Sequence, residues 1–535
     1  MSSQLASCPA TAAHQVFAIP ELLELICEAV RSEAKGNARA LHPMVLTSWA
    51  FATQALPLLW EDIDHFGVLL KTLPTHCWTE SDDNEDCVLL TSTQPISKED
   101  CQRYEMYSNF VRYITFEYDD YYHLDPTFFE RLEAALGPQT LLPKLQHLVW
   151  VDPPFLSWHL VHSFFVPSLL YIQVKMQILP LEYEPTFIAL AEKCPDVNNM
   201  QYFGAISEKG EDHRDIILLS QVIGQWASLT TLHVTTLTAE LVIVLAKKVS
   251  PPLEHLWVYH ECDVDWDMVK DVVKPRTGFS GLLELVVRMH PEDAMELFRI
   301  CRFPLQSLSL TLSGSDWTTG QEYGQLLSEI HGATVESELT TLVIALENVP
   351  LETDYRAELE PVHDAGAIKG HHLSKILAFP NLKEVLIYSC HGFDIEDRTI
   401  EEIAKGLPYL SEFMLYSPRL YLARPPTTTI KALSYLAMHC PDLRTIRMAF
   451  DATSPQPFDS ESSVAKVLAS NPSQLERLYI PHSPVSAPKV VASVLSTLFP
   501  TLGIINYDSR FPQGASTWDE VKALLTLTPI KGYTI

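Results

Sequence analysis

From residue 111 onward the chain repeats one short pattern, apolar-x-x-apolar-x-apolar. It reads VRYITF at Val111, LQHLVW at Leu145, LLYIQV at Leu169, VNNMQY at Val197, LTTLHV at Leu229, LEHLWV at Leu253 and LLELVV at Leu282. It continues as LQSLSL at Leu305, LTTLVI at Leu339, LKEVLI at Leu382, LSEFML at Leu410, LRTIRM at Leu443, LERLYI at Leu475 and LGIINY at Leu502. About fourteen copies recur at a mean spacing of roughly 30 residues, the range in which internal periods mean stacked repeats. Each copy ends in alternating apolar positions, the period of a strand. Between copies lie stretches of helical spacing such as RDIILLSQVIGQW, LTAELVIVLAKKV and VVASVLSTL. A proline often stands just before the first apolar residue, as in PPLEHL, FPLQSL, CPDLRTI and FPTLGII, where it suits the turn out of a helix. The pattern predicts an α/β chain built of strand, turn, helix, turn. One such unit cannot bury both its faces, so stacked units must share a continuous core.

The first sixty residues follow a different period. In IPELLELICEAV, Ile19, Leu22, Leu23, Ile26, Cys27 and Val30 fall on one helical stripe, and Pro20 suits the first helical position. A second short helix is expected from Ala38 to Trp49, carrying Leu41, Val45, Leu46 and Trp49. A third is expected from about Ala52 to Trp60, with Ala55, Leu56, Leu59 and Trp60 on one side and Pro57 bending it. Three helices in about 45 residues bury only a small core. Some of these large apolar residues must therefore face a partner or the rest of the chain.

Two resemblances follow. The order Ile19-Pro20-Glu21-Leu22-Leu23-x-x-Ile26, then Val45-Leu46-Thr47-Ser48-Trp49-x-Phe51, then Ala55-Leu56-Pro57-Leu58-Leu59-Trp60 resembles an F-box, in particular the F-box-like proteins of filamentous fungi. That family usually has a small residue where Trp49 stands. The strand-and-helix unit of the remaining chain resembles a leucine-rich repeat, in a degenerate form with spacings from 23 to 43. The family usually places Asn or Cys three positions after its last leucine. Only Cys390 does so here, with His290 and Ser313 among the residues in equivalent places. The implied fold is α/β: a short N-terminal three-helix F-box, then an irregular leucine-rich-repeat solenoid with a parallel β-sheet on the concave face and helices outside. The expected divisions are a tail (1–15), the box (16–73), an acidic linker (74–108), the solenoid (109–512), and a C-terminal capping helix and tail (513–535).

The F-box resemblance implies docking on the Skp-family linker of a cullin–RING ubiquitin ligase. Ile19, Pro20, Leu22, Leu23, Ile26, Leu46, Phe51 and Leu58 would lie at or beneath that contact, while Leu59 and Trp60 knit the box to the first repeats. In the repeats, alternation points the fifth and seventh residues of each unit out of the core. These are Trp257, Tyr259, Val286, Arg288, Leu386, Tyr388, Met414, Tyr416, Arg447 and Tyr479, and the third position adds Glu284, Glu384, Glu412 and Arg477. Trp, Tyr, Met and Arg on neighbouring strands are the residue types of interface hot spots, here for an unknown protein target. A register slip of one residue would instead turn them into core.

Composition narrows the function classes. The formal charge is -29, which argues against a sequence-independent nucleic-acid binder and against docking on anionic membranes. No GxSxG, P-loop, HExxH or CxxC pattern occurs, and the 19 glycines are few for a β-helix enzyme. Neither catalysis, a cofactor nor a metal is expected. The acid run Glu80, Asp82, Asp83, Glu85, Asp86 reads as a solvated loop, without the spacing of a calcium site. Cys194 and Cys440 share one repeat position and read as buried packing. No secretory signal is read at the N-terminus, so the expected location is cytoplasm or nucleus. The long unit between Leu339 and Leu382, with His363, His371 and His372, reads as a surface loop. The tail helix is expected to be capped by Ser516 or Thr517 before Trp518, Val521, Leu524 and Leu525, and to cover the open end of the solenoid.

Overall fold

A computed structural model describes residues 19–33, 38–84, 87–92, 94–117, 122–137, 140–151, 158–176, 184–204, 214–248, 253–260, 262, 264–275, 278–313, 319–334, 338–346, 366–389, 391–417, 426–455, 472–481, 483–507 and 512–525. The expected 1–15 tail, Cys390, His363 and most of the long insertion lie outside them. The chain forms two compact units, Met1–Thr235 and Thr236–Ile535.

In the first unit, helix Pro20–Glu33 packs with the turn Ala38–Leu41, the short helix His42–Val45 and helix Trp49–Leu59. Cys27, Leu41 and Ala55 form their small core, with Val30, Met44, Val45, Phe51 and Leu58 packed against it. The second helix is shorter than expected. It ends at Val45, and Ser48, in extended conformation, caps the next helix with its Oγ accepting from Phe51 N at 3.3 Å, so Trp49 opens the third helix. Pro57 stands near the C-terminal end of that helix, and Trp60 N still donates to Leu56 O at 3.0 Å.

The repeats obey one rule in both units. Every strand that follows a motif copy starts two residues after the copy's first apolar residue. In the first unit these are Tyr113–Glu117, His147–Val151, Tyr171–Lys175, Asn199–Phe203 and Thr231–Val234, all parallel neighbours in chain order. A strand outside the motif, Asp62–Ile63, pairs with Tyr113–Glu117 as the chain leaves the box. The second unit orders His255–Val258, Glu284–Met289, Ser307–Leu312, Thr341–Leu346, Glu384–Tyr388, Glu412–Tyr416, Thr445–Arg447, Arg477–Ile480 and Ile504–Tyr507 the same way. The leading apolar residue is buried in every copy, from Val111 to Leu502.

A backbone rung joins neighbouring units. The carbonyl of the second motif residue accepts from the N–H groups of the second and third residues of the next copy. Thus Gln306 N and Ser307 N donate to Leu283 O at 2.8 and 3.0 Å, and Thr340 N and Thr341 N donate to Gln306 O at 2.8 and 3.1 Å. Backbone groups thus make the junction in an array that lacks the family's usual Asn. Helix starts are capped locally. Thr238 Oγ1 accepts from Leu241 N, Asp265 Oδ1 from Asp267 N and Met268 N, and Thr319 forms a reciprocal box with Glu322.

Two expectations are corrected. Residues 74–108 are more than a linker: Trp78–Asn84 pairs antiparallel with Cys87–Ser92, Tyr122–Leu124 adds in parallel, and helix Gln102–Ser108 follows. Strand pairing outweighs the acid run, with Leu90 buried under it. The tail helix runs Pro512–Leu524, so Ser516 and Thr517 lie inside it and do not cap it. Trp518 and Val521 are buried, Trp518 Nε1 donates to Ser483 O at 2.8 Å, and Leu524 is exposed. Among the described residues, no helix is long and apolar enough to cross a membrane.

Candidate protein-interaction surfaces

The box presents part of the expected set. Ile19, Pro20 and Leu46 are exposed, Leu46 to 73%, and Leu22 and Ile26 are half-buried. Leu23 is buried, so it supports a surface from beneath. Phe51 and Leu58 are half-buried, at the place beneath the expected contact. They flank the fully buried Ala55 on one stripe (i, i+4, i+7) and pack on the box's own core. Trp49, Leu25 and Val68 are exposed apolar residues outside the expected set. Trp49 is 86% exposed because the Ser48 cap rotates it out of the second helix's stripe. The signal for Trp49 was the Ser48-x-x-Phe51 cap spacing.

Trp60 faces the opposite task. Its ring stacks on Tyr107 with centroids 4.4 Å apart, and Arg31 pairs with Glu61 beside it. The helix end is thereby tied to helix Gln102–Ser108 and to the first strand.

In the second unit the burial alternates along most strands as the motif demands; Thr445–Arg447 departs from it, with Thr445 and Ile446 both buried, and Glu412–Tyr416 ends on two buried residues. In Ser307–Leu312 the buried residues are Leu308, Leu310 and Leu312, with half-buried residues between them. Cross-strand register aligns the outward residues into rows. One row runs Trp257, Val286, Ser309, Val343, Leu386, Met414, Arg447, Tyr479, Asn506. Beside it runs His255, Glu284, Ser307, Thr341, Glu384, Glu412, Thr445, Arg477. Arg288 and Tyr388 lie in the next row out, and Tyr259 follows its strand and is exposed.

These rows are internally partnered. His255 Nδ1 lies 3.0 Å from Glu284 Oε2, Arg477 Nη2 lies 3.4 Å from Glu412 Oε1, and Thr341 Oγ1 donates to Glu384 Oε2 at 3.4 Å. Tyr416 is the exception among the expected target contacts. It is only 7% exposed, because the Arg447 guanidinium lies 3.8 Å above its ring and Tyr388 abuts it edge-on at 4.9 Å. Tyr416 therefore supports Arg447. Burial pushes the Tyr388 phenol up.

The first unit carries a row that the sequence reading did not name. Tyr113, His147 and Tyr171 stand in register on the outward face, with centroids 4.4 and 5.3 Å apart, and Asp62 pairs with Tyr113 at its end. Burial lowers the His147 pKa, partly opposed by Asp62, whose own carboxyl is pushed up by burial and then by Asp64. All three rings occupy the third motif position, the signal that finds them.

The fold is thus α/β, a leucine-rich-repeat-like solenoid of parallel strands with helices on one face. No protein-family model matches the chain, and no curated protein does. Among solved structures, the Rad7–Elc1 complex from yeast is similar at 14% identity over 88% of this chain and 90% of that one, with a TM-score of 0.30. The leucine-rich repeat-containing protein LegL7 of Legionella pneumophila is similar at 11% identity over 66% of this chain and 98% of that one, with a TM-score of 0.25. Likeness at that level does not bear on function.

Proposed function

We propose that the chain is the substrate-recognition subunit of an SCF-type cullin–RING ubiquitin ligase. The box docks on a Skp-family linker, and the outward rows of the repeats hold a protein target. The chain acts by binding, bringing a target near the ubiquitin-charged partner, and does no acid–base chemistry of its own. The observation that carries this reading is the box itself. Three short helices that centre on a small core of Cys27, Leu41 and Ala55 leave Ile19, Leu46 and Trp49 in water. Exposed large apolar groups on so small a unit favour a covering partner.

The test is co-purification of the full chain with the Skp-family linker. Wild type is expected to retain it, and Ile19→Asp with Leu46→Asp to lose it while the far-ultraviolet circular dichroism is unchanged. Both residues are exposed, so the pair spares the core. A wild-type chain that captures no linker overturns the proposal. The second reading is a repeat scaffold that engages no ligase. It is favoured by Trp49, a bulky exposed ring where the F-box pattern carries a small residue. Under that reading Trp49→Ala would restore linker capture that wild type lacks.

A further inference from the structure

His76, Cys77 and Asp100 come from two turns on either side of the hairpin Trp78–Ser92. Cys77 N donates to Pro74 O at 2.9 Å, and Asp100 N donates to Ser97 O at 3.2 Å, closing the two turns. Together they bring one ligand atom from each of the three side chains within 4.8 Å of the others. His76 Nε2 lies 3.4 Å from Asp100 Oδ1. The other carboxylate oxygen is already committed: Asp100 Oδ2 accepts from Ser97 N at 2.9 Å and from Ser97 Oγ at 2.6 Å. Ser97 thus fixes the carboxylate with Oδ1 turned toward His76. Cys77 is fully buried, Asp100 is largely covered, and the His76 side chain is 53% exposed. The three donors form a cup with the sulfur at its floor and an opening to water.

The donor set selects the ion. One sulfur, one imidazole nitrogen and one carboxylate oxygen suit zinc, whereas magnesium and calcium take oxygen shells. Zinc bonds of about 2.0–2.3 Å at tetrahedral angles set donors roughly 3.3–3.6 Å apart. The His76–Asp100 separation of 3.4 Å already has that value. Closing the sulfur edge takes a small movement of the turns that carry the three side chains. We propose that His76, Cys77 and Asp100 bind one zinc ion, with water in the fourth position, stapling the turn at Pro74–Cys77 to the turn at Ser97–Cys101. The sequence reading expected no metal. It weighed the acid run 80–86, the histidines 363, 371 and 372 and the repeat cysteines, and His76 and Asp100 lie too far apart along the chain to form a spacing motif.

The experiment uses the purified full chain, stripped with a chelator and dialysed. Zinc is added, excess is removed by gel filtration, and metal per chain is measured by mass spectrometry of the elements. Wild type is expected to retain one equivalent. Cobalt in place of zinc is expected to give a thiolate-to-cobalt charge-transfer band that Cys77→Ser abolishes. Because Cys77 is buried and its substitution puts the fold at risk, His76→Ala is the second arm. It alters an exposed ring and is expected to weaken zinc binding by at least about 100-fold. A wild-type chain that retains no zinc, a charge-transfer band that survives Cys77→Ser in a folded chain, or His76→Ala binding zinc as wild type does would each overturn the site.

Discussion

Cys194, Cys301 and Cys440 are fully buried at repeat junctions, and burial pushes each thiol up to about 12. Cys440 Sγ donates to the Leu407 and Ala404 carbonyls of the preceding unit at 3.5 and 3.6 Å, so the thiol serves as small core with a weak donor. These groups set a pH dependence whose sign is fixed. A folded-state pKa raised from 9.0 to about 12 leaves the stability contribution intact below pH 9. It is lost as pH rises from there toward 12, since the unfolded chain ionises first, at about 1.4 kcal/mol per pH unit for each thiol. The unfolding midpoint in urea is therefore expected to fall above pH 9, and to fall less steeply in Cys440→Ala; equal slopes would refute the assignment. Iodoacetamide at pH 8 is expected to spare all three thiols in the folded chain. At this scale the buried role of Cys440 was readable, because CPDL repeats the CPDV around Cys194. The cover over Tyr416 was not, because the arginine that closes it comes from the next strand.

At the scale of the element, the alternating pattern carried most of the fold. The leading apolar residue anchors the register, and each motif strand begins two residues later, so the outward rows follow by counting. What could not be read is what pairing supplies from outside the segment. Asp62–Ile63 has two residues and no motif, and is a strand only because Tyr113–Glu117 lies beside it. TESDDN reads as a solvated loop until Cys87–Ser92 pairs with it. Trp49 was misassigned for a local reason: the apolar stripe was extended through a capping serine. The register itself gives a test within one unit. Leu305 is fully buried as a leading residue, and Ser309 points outward from the strand it introduces. Leu305→Ala is expected to cost about 2–5 kcal/mol, and Ser309→Ala to stay within about 0.5 kcal/mol. Hydrogen exchange in strands Glu284–Met289, Ser307–Leu312 and Thr341–Leu346 separates the two, because the rungs through Leu283 O and Gln306 O open together. Equal losses of protection would mean the register is off by one.

At the scale of the whole molecule, charge governs behaviour that no single contact decides. The chain carries 67 acidic and 38 basic residues, a formal charge of -29, with an isoelectric point near 5.0. At neutral pH like molecules repel, which keeps exposed apolar groups such as Trp49, Leu46 and Tyr259 from meeting. As pH falls toward 5 the 20 histidines gain charge and a minority of the carboxylates take up protons, the repulsion fades, and those groups are left to associate. Light scattering is expected to show a single species at pH 7.5 and larger species near pH 5, reversing on return to pH 7.5. Because the repulsion acts through solvent, raising salt from about 0.02 to about 0.5 M at pH 7.5 is expected to move the distribution the same way, to a smaller extent. Trp49→Ser should reduce association near pH 5, since it removes the most exposed large apolar side chain of the box. A chain that stays monodisperse at both pH values would show that its field does not hold these surfaces apart. The same field favours basic protein segments over phosphate backbones as partners, because attraction at a distance raises encounter rates before any specific contact forms.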